Sequence, residues 1–413
     1  MAIHRWFWPV VGCVIAIAGA LEVSSALGEA QTWDEGIHIS AGYAYLARGD
    51  YRWNAEHPPL AKLVSALPLK LLRLDVPVNG EGWKKNDEIK FGIEFLYANR
   101  VPADSILMAA RGMAILLTLV FAAALAWWTR RRFGPAAGLL AVVLCAFDPN
   151  LMANGRYVTT DFPVTVFYFF ACVLWVEYLE SGRFRDLAVA ACAFALAMVT
   201  KFSAVLLIPT LAVLYGVCWA QRPKQFPLRR LVVAAGVVLG ATLVVVSVVY
   251  WPDTLRCLNT HVAPLAGVVD RRNLTGKILY YAGRWYHLPR HAFLFGLNAV
   301  ATHNAGGHAG YLMGLRSDQG WWYYFPVVFA VKSTMAALAG TALLLLAGFW
   351  LAATRLSRRV IEQARAIPPM WIGLLSKDCI KMPAGGKKTM KPPTAGPGSI
   401  PWSGSLSVLS ELF

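Results

Sequence analysis

The sequence predicts an all-α, polytopic integral membrane protein with about eight transmembrane helices. Three observations carry that prediction. Apolar residues make up 57% of the 413 and charged residues only 15%, with a mean hydropathy of +0.49, too apolar for a soluble chain of this length. Several apolar stretches run close to the ~20 residues that a bilayer crossing requires. Arginines and lysines cluster in alternate short connections, the positive-inside pattern.

The spans fall at about 7–27, 105–128, 135–147, 162–180, 187–200, 203–220, 231–250 and 324–352. They are helical because a backbone exposed to lipid must satisfy its own hydrogen bonds. The first stretch is too long for a signal-peptide apolar region and reads as a retained anchor. Arg130, Arg131 and Arg132 mark one cytoplasmic connection. Arg183 and Arg185 mark another, Arg222, Lys224, Arg229 and Arg230 a third, and Arg355, Arg358 and Arg359 a fourth. The net charge of +16 is largely this topology and needs no nucleic-acid partner. Five of the seven cysteines lie inside apolar segments, without the spacing of a disulfide framework or a zinc site.

Two long loops, about 28–104 and 251–320, then lie on the extracytoplasmic side of a membrane core spanning 1–352. The first holds 11 of the 23 acidic residues, so the acidic chemistry sits outside the cytoplasm. Within it, 59–74 reads as an amphipathic helix with a kink at Pro68, and 37–48 as a weaker one. Both are expected along the membrane interface as juxtamembrane helices. The third and fifth spans, 135–147 and 187–199, are short and stop at Asp148 and Lys201, which implies a recess where charges meet water or a headgroup. Residues 353–413 form an atypical cytoplasmic tail. Beyond about Arg365 it is rich in Pro, Gly, Ser and Lys, and it is expected to be disordered. No internal repeat, Gly-rich nucleotide loop or HExxH motif is present.

Groups able to do chemistry gather on the extracytoplasmic side. QTWDEGIHISAGYAYL carries Asp34 and Glu35, and NAEHPPLAKL carries Glu56, His57 and Lys62. DPNLMANGRYVTTD carries Asp148, Arg156 and Asp161, VTKFSA carries Lys201, and the second long loop and the start of the last span carry His303, His308 and Lys332. Carboxylates among cations suit displacement at a sugar–phosphate carbon. One carboxylate deprotonates an acceptor hydroxyl, and cations stabilise the leaving phosphate. Each residue has a blander reading. Asp34 could be a helix N-cap, Glu35 a first-turn acid that complements the helix dipole, and Arg156 the partner of Asp161. Glu56 and His57 could hold a divalent metal, a phosphate or each other. Lys201 could snorkel, Glu22 could be an ordinary interfacial acid, and 321–324 (WWYY) reads as an aromatic belt.

The DE pair, EHPPLAK, GRYVTTD and TKFSA together resemble glycosyltransferase family 39, the protein O-mannosyltransferase and lipid A aminoarabinose transferase family, over roughly residues 7–350. The resemblance implies a C-superfamily glycosyltransferase fold and an undecaprenyl- or dolichyl-phosphate sugar as donor. It also implies inverting transfer on the extracytoplasmic face. It makes Asp34 the catalytic acid position and Glu35 its neighbour. Arg156, Lys201, His57 and Lys332 fall on the donor phosphate, with Glu56, Asp161, His303 and His308 in support. The implied partners are membrane lipids, the lipid-linked sugar and an acceptor protein, lipid or glycan. The lack of a disulfide framework favours a bacterial inner membrane. Two other readings are a polytopic transporter or flippase, and an inactive fragment of such a transferase, since the segment after the eighth span is unlike the family.

Overall fold

The structure, a computed structural model, describes residues 2–260, 277, 281, 291–305, 310–318 and 320–366. Two units are distinguished, Met1–Tyr324 and Phe325–Phe413. The expected tail disorder falls on 367–413, outside the described residues.

The first unit is built of helices. Five are long and apolar enough to cross a membrane. They are α1 (Ala2–Leu27), α6 (Ala103–Phe133), α9 (Asp161–Ser181), α11 (Leu207–Gln221) with the 3-10 turn Phe202–Leu206 before it, and α12 (Leu228–Val249). Between α1 and α6 lie α2 (Trp33–Arg48), α3 (Leu60–Ala66), a 3-10 turn at Pro68–Leu72, α4 (Glu81–Lys85) and α5 (Glu88–Tyr97). Helices α7 (Pro135–Ala146) and α8 (Pro149–Gly155) form a pair bent by 61°. After α12 come α13 (Trp251–Thr260), α14 (His291–Ala305) and a two-stranded antiparallel hairpin, β1 (Gly310–Leu312) and β2 (Leu315–Ser317). The second unit contains nearly all of α15 (Tyr324–Lys332) and all of α16 (Met335–Ala366), bent by 119° at their junction.

The all-α polytopic expectation therefore holds, with a different span count. Eight were expected; five helices qualify, or seven if each bent pair is one span. The expected span at 187–200 is α10 (Phe184–Met198), whose 15 residues rise only ~22 Å. It lies between α9 and α12 with its small face, Ala190, Ala191, Ala193, Ala195 and Ala197, buried. The described cysteines, Cys13, Cys145, Cys172, Cys192 and Cys218, are all free. The three basic connections of the first unit share one end of its helices: Arg130 lies over the Phe7 ring near the start of α1, Arg132 pairs with Glu180, and Arg230 bonds to Tyr178.

The interfacial helix expected at 37–48 is corrected, and the one expected at 59–74 breaks at Pro68, where the kink was expected. Helix α2 is buried at every position from 35 to 45, a core element rather than one lying on lipid. Its small residues allow backbones on two sides to approach. A Cβ at Gly42 would stand 2.2 Å from the Lys62 carbonyl oxygen of α3, and one at Gly92 of α5 would meet the Gly36 backbone at 2.9 Å. The second expected helix divides at Pro68, which cannot donate a backbone hydrogen bond, into α3 and the 3-10 turn. The Gly42→Ala substitution forces α3 away from α2, and we expect a loss of ~1–3 kcal/mol, read as a lowered thermal midpoint in detergent.

Candidate active site

The end of the first unit opposite the basic connections is organised around an arginine inside a span. Arg111 of α6 is 1% exposed, and its five N–H donors match the five hydrogen bonds found. Nε and Nη2 grip the two Glu35 oxygens at 2.8 and 2.7 Å, and Nη2 also reaches the Ala30 carbonyl at 2.9 Å. Nη1 donates to the Ala26 and Glu29 carbonyls, both at 2.9 Å. The last turn of α1 has carbonyls without helical partners, and Arg111 takes up one of them. The same guanidinium thus ties the end of α1 to the start of α2.

Glu35 is fully committed there. Oε2 accepts from the Thr32 backbone N–H at 2.9 Å and its hydroxyl at 3.2 Å, closing one half of a capping box. Oε1 accepts from the Val158 N–H at 3.2 Å. Burial acts to raise this carboxyl, but the Arg111 guanidinium and these donors outweigh it and hold it below the usual carboxylate range. Glu35, expected beside Asp34 in the chemistry, thus has its carboxylate oxygens engaged by Arg111, Thr32 and Val158. Its side chain is fully buried. Asp34, one residue earlier in the first turn, is exposed, and no side-chain hydrogen bond or ion pair to it is found among the described residues.

Arg156, just beyond α8, is gripped by Glu29 through Nε at 3.0 Å and Nη2 at 2.7 Å. It also donates to the Met152 carbonyl and the Tyr157 hydroxyl, both at 3.0 Å. The Arg156 guanidinium, against the opposing effect of burial and with help from Tyr157 and Ser25, pulls the Glu29 carboxyl down to about 2. The reading of Arg156 as the partner of Asp161 is corrected, because Asp161 is held by Lys201 instead. Asp148 caps α8, accepting from the Asn150 and Leu151 amides. Glu22 is also unlike its reading as an interfacial acid. It is 1% exposed, and neither carboxylate oxygen has a hydrogen-bond partner among the described residues.

Val158 joins these pieces. Its N–H binds Glu35, and its carbonyl accepts from His38 Nδ1 at 2.9 Å. One turn into α2, the His38 ring meets His57 edge-on, with centroids 5.5 Å apart. Asp161 and Lys201 lie within electrostatic reach of both histidines. The EHPP segment is fixed to the end of α10 by Leu60 N–H donating to the Val199 carbonyl at 3.0 Å. Lys62, on the helix expected to be amphipathic, does not face water. It is 1% exposed, and Nζ donates to the Asn54 and His57 carbonyls, both at 2.7 Å. Burial pushes its ammonium well below the usual lysine range.

Burial, then the charge of Lys62, lowers His38 to about 4, and burial, then His38, lowers His57 to about 3. Both rings are therefore neutral near pH 7. The unfolded chain binds protons at these histidines from about 6.5 downward while the folded chain does not, so this contribution to stability falls as pH drops through that window. Thermal midpoints between pH 7 and 4 should decline, and less steeply in a His38→Gln, His57→Gln double variant.

The remaining candidates are placed only in part. Glu56 is half-buried beside His57. The backbone of His303 belongs to α14, but its side chain and all of His308 lie outside the described residues. Lys332 ends α15 in the second unit. Among the described residues no three His, Cys, Asp or Glu side chains form a metal-ligand set.

Residues 103–251 match the family model for dolichyl-phosphate-mannose-protein mannosyltransferase. That stretch contains Arg111, Arg156, Asp161 and Lys201 and begins after Asp34, Glu35, Glu56 and His57. It agrees with the family-39 resemblance and supports a membrane glycosyltransferase of the mannosyltransferase type. No curated protein and no solved structure matches the chain.

Four members of this network carried no expectation from the sequence: Arg111, Glu29, Tyr157 and His38. Arg111 had a legible signal, a lone arginine within an apolar span, which must face protein rather than lipid. Glu29 and His38 had none, because their partners are more than a hundred residues away.

Proposed function

We propose that the chain transfers a sugar from a polyprenyl-phosphate donor to an acceptor hydroxyl on the extracytoplasmic side, with Asp34 as general base. The observation that supports it best is the division of labour between two adjacent acids. Glu35 is consumed in fixing the start of α2, whereas Asp34 on the same turn is exposed. Asp34 takes the hydroxyl proton, the acceptor oxygen attacks the anomeric carbon from the side opposite the phosphate, and the carbon–phosphate oxygen bond breaks. Inversion follows from that single displacement, and the electron pair leaves with the polyprenyl phosphate.

Arg156 and Lys201 are the groups best suited to meet the growing phosphate charge. Each is already oriented by an acid, Glu29 and Asp161 respectively, and preorganised donors are typically the largest single contribution to such catalysis. Arg156 uses four of its five donors on described residues, leaving one for a ligand. His57, being neutral, offers a hydrogen bond rather than a charge; its Nδ1 is buried without a partner among the described residues. Glu56 and Asp161 belong to the same proposal in support, with a bacterial inner membrane as the location.

The test is reconstitution into liposomes with a radiolabelled polyprenyl-phosphate mannose and candidate acceptor proteins, lipids and glycans. Label moving from the carrier to an acceptor is the expected result. Label crossing the bilayer while still attached to its phosphate would instead make the chain a flippase.

A further inference from the structure

The hairpin formed by β1 and β2 exposes an apolar tip. Tyr311 is 70% exposed, Met313 81% and Leu315 64%, and the only charge from 310 to 317 is Arg316, opposite Tyr311 in the register. The turn itself departs from what a solvated hairpin favours. Met313 and Gly314 have φ of +50° and +88°, a two-residue connection of the kind that prefers Asn-Gly or Asp-Gly. A methionine held at positive φ costs ~1–2 kcal/mol relative to a residue suited to that region. The sequence thus places a large apolar side chain where both backbone geometry and water disfavour it.

What surrounds the hairpin identifies the environment that would accept it. The ring of Trp321 lies 3.4 Å from where a Cβ on Gly310 would stand, so the base of the hairpin abuts the aromatic run 321–324. Trp322 there is 91% exposed, and the apolar helix α15 begins at Tyr324. Tryptophan and tyrosine at a span end mark the headgroup level. At ~3.3 Å per strand residue the tip lies ~10 Å from Gly310, comparable with the ~5–8 Å thickness of one headgroup layer.

We propose that the hairpin tip, residues 311–315, inserts into the headgroup–acyl boundary of the leaflet beside 321–324. Tyr311, Met313 and Leu315 enter the apolar edge, and Arg316 meets lipid phosphate. This inference requires only that the chain is a membrane protein and is independent of the transfer reaction.

It can be tested in the full-length chain with its native cysteines by introducing dansylalanine at position 313 through a suppressed stop codon. The same label at position 85, an exposed lysine site in α4, serves as a control. Both proteins are reconstituted into phosphatidylcholine–phosphatidylglycerol vesicles containing lipid with a nitroxide near the headgroup end of its acyl chain. Strong loss of fluorescence at 313 and little at 85, with iodide in the buffer reversing that order, is the expected result. Label 313 quenched by iodide but not by the nitroxide lipid would overturn the proposal, and so would label 313 shielded from both, which would mean that the tip packs on protein. A second label at Leu315 guards against a local effect of the first and must give the same order.

Discussion

Replacing Asp34 by Asn should abolish sugar transfer while leaving the folded chain intact. Asn is isosteric but cannot take the hydroxyl proton, and loss of a positioned general base typically costs ~10²–10⁴-fold in rate. Asp34 is exposed and has no side-chain bond to a described residue, so the thermal midpoint should hardly move; surface changes of this kind are usually within ~0.5 kcal/mol. The informative comparison is Glu35→Gln. That change removes the charge paired with Arg111 at the fully buried end of α2, so its main effect should be on stability, with activity falling alongside. Initial rates and melting curves on both variants separate the two roles. Full turnover in Asp34→Asn would remove Asp34 from the chemistry.

The Arg111→Lys substitution should be nearly as damaging as Arg111→Ala, which is the second large expected effect. Removing one partner of a buried ion pair costs ~3–5 kcal/mol, because Glu35 is left charged and desolvated. Lysine restores the charge but has three donors where Arg111 uses five in a fixed fork. The Ala26 and Glu29 carbonyls or a Glu35 oxygen must then go unmet. Because those bonds join α1 to α2, the turn bearing Asp34 loses its anchor, and both the melting midpoint and transfer should fall in either variant. If Arg111→Lys kept wild-type stability and rate, the five-donor account of this junction would be wrong. Adding Glu35→Gln to Arg111→Ala should recover part of the stability, since the orphaned charge is gone.

The polar segments of the candidate site were legible where they interrupt apolar sequence locally. The DE pair, the GRY–D segment and the lysine after the short helix α10 are polar interruptions at the ends of apolar runs, and such interruptions are costly unless they serve something. Partner choice was less legible. Arg156 could be matched with Asp161 by sequence proximity, yet Glu29, 127 positions away, takes it, and Lys201 takes Asp161 across 40. Lys62 looked like the polar face of an amphipathic helix. Its burial depends on Gly42 bringing α2 against the Lys62 backbone and on carbonyls from the Asn54 and His57 turn reaching its ammonium.

The sequence by itself determined the class of the protein, its helical apolar spans, the common sign of its short connections and the segments that carry acids and cations. These follow from composition and from periodicities of a few residues, which act locally. Only the tertiary structure decided which of two neighbouring acids is free, which cation each carboxylate holds, and that α2 is core rather than interface. Those outcomes turn on hydrogen-bond donors and backbone approaches between segments far apart in the chain, where small residues and a single buried guanidinium set the distances.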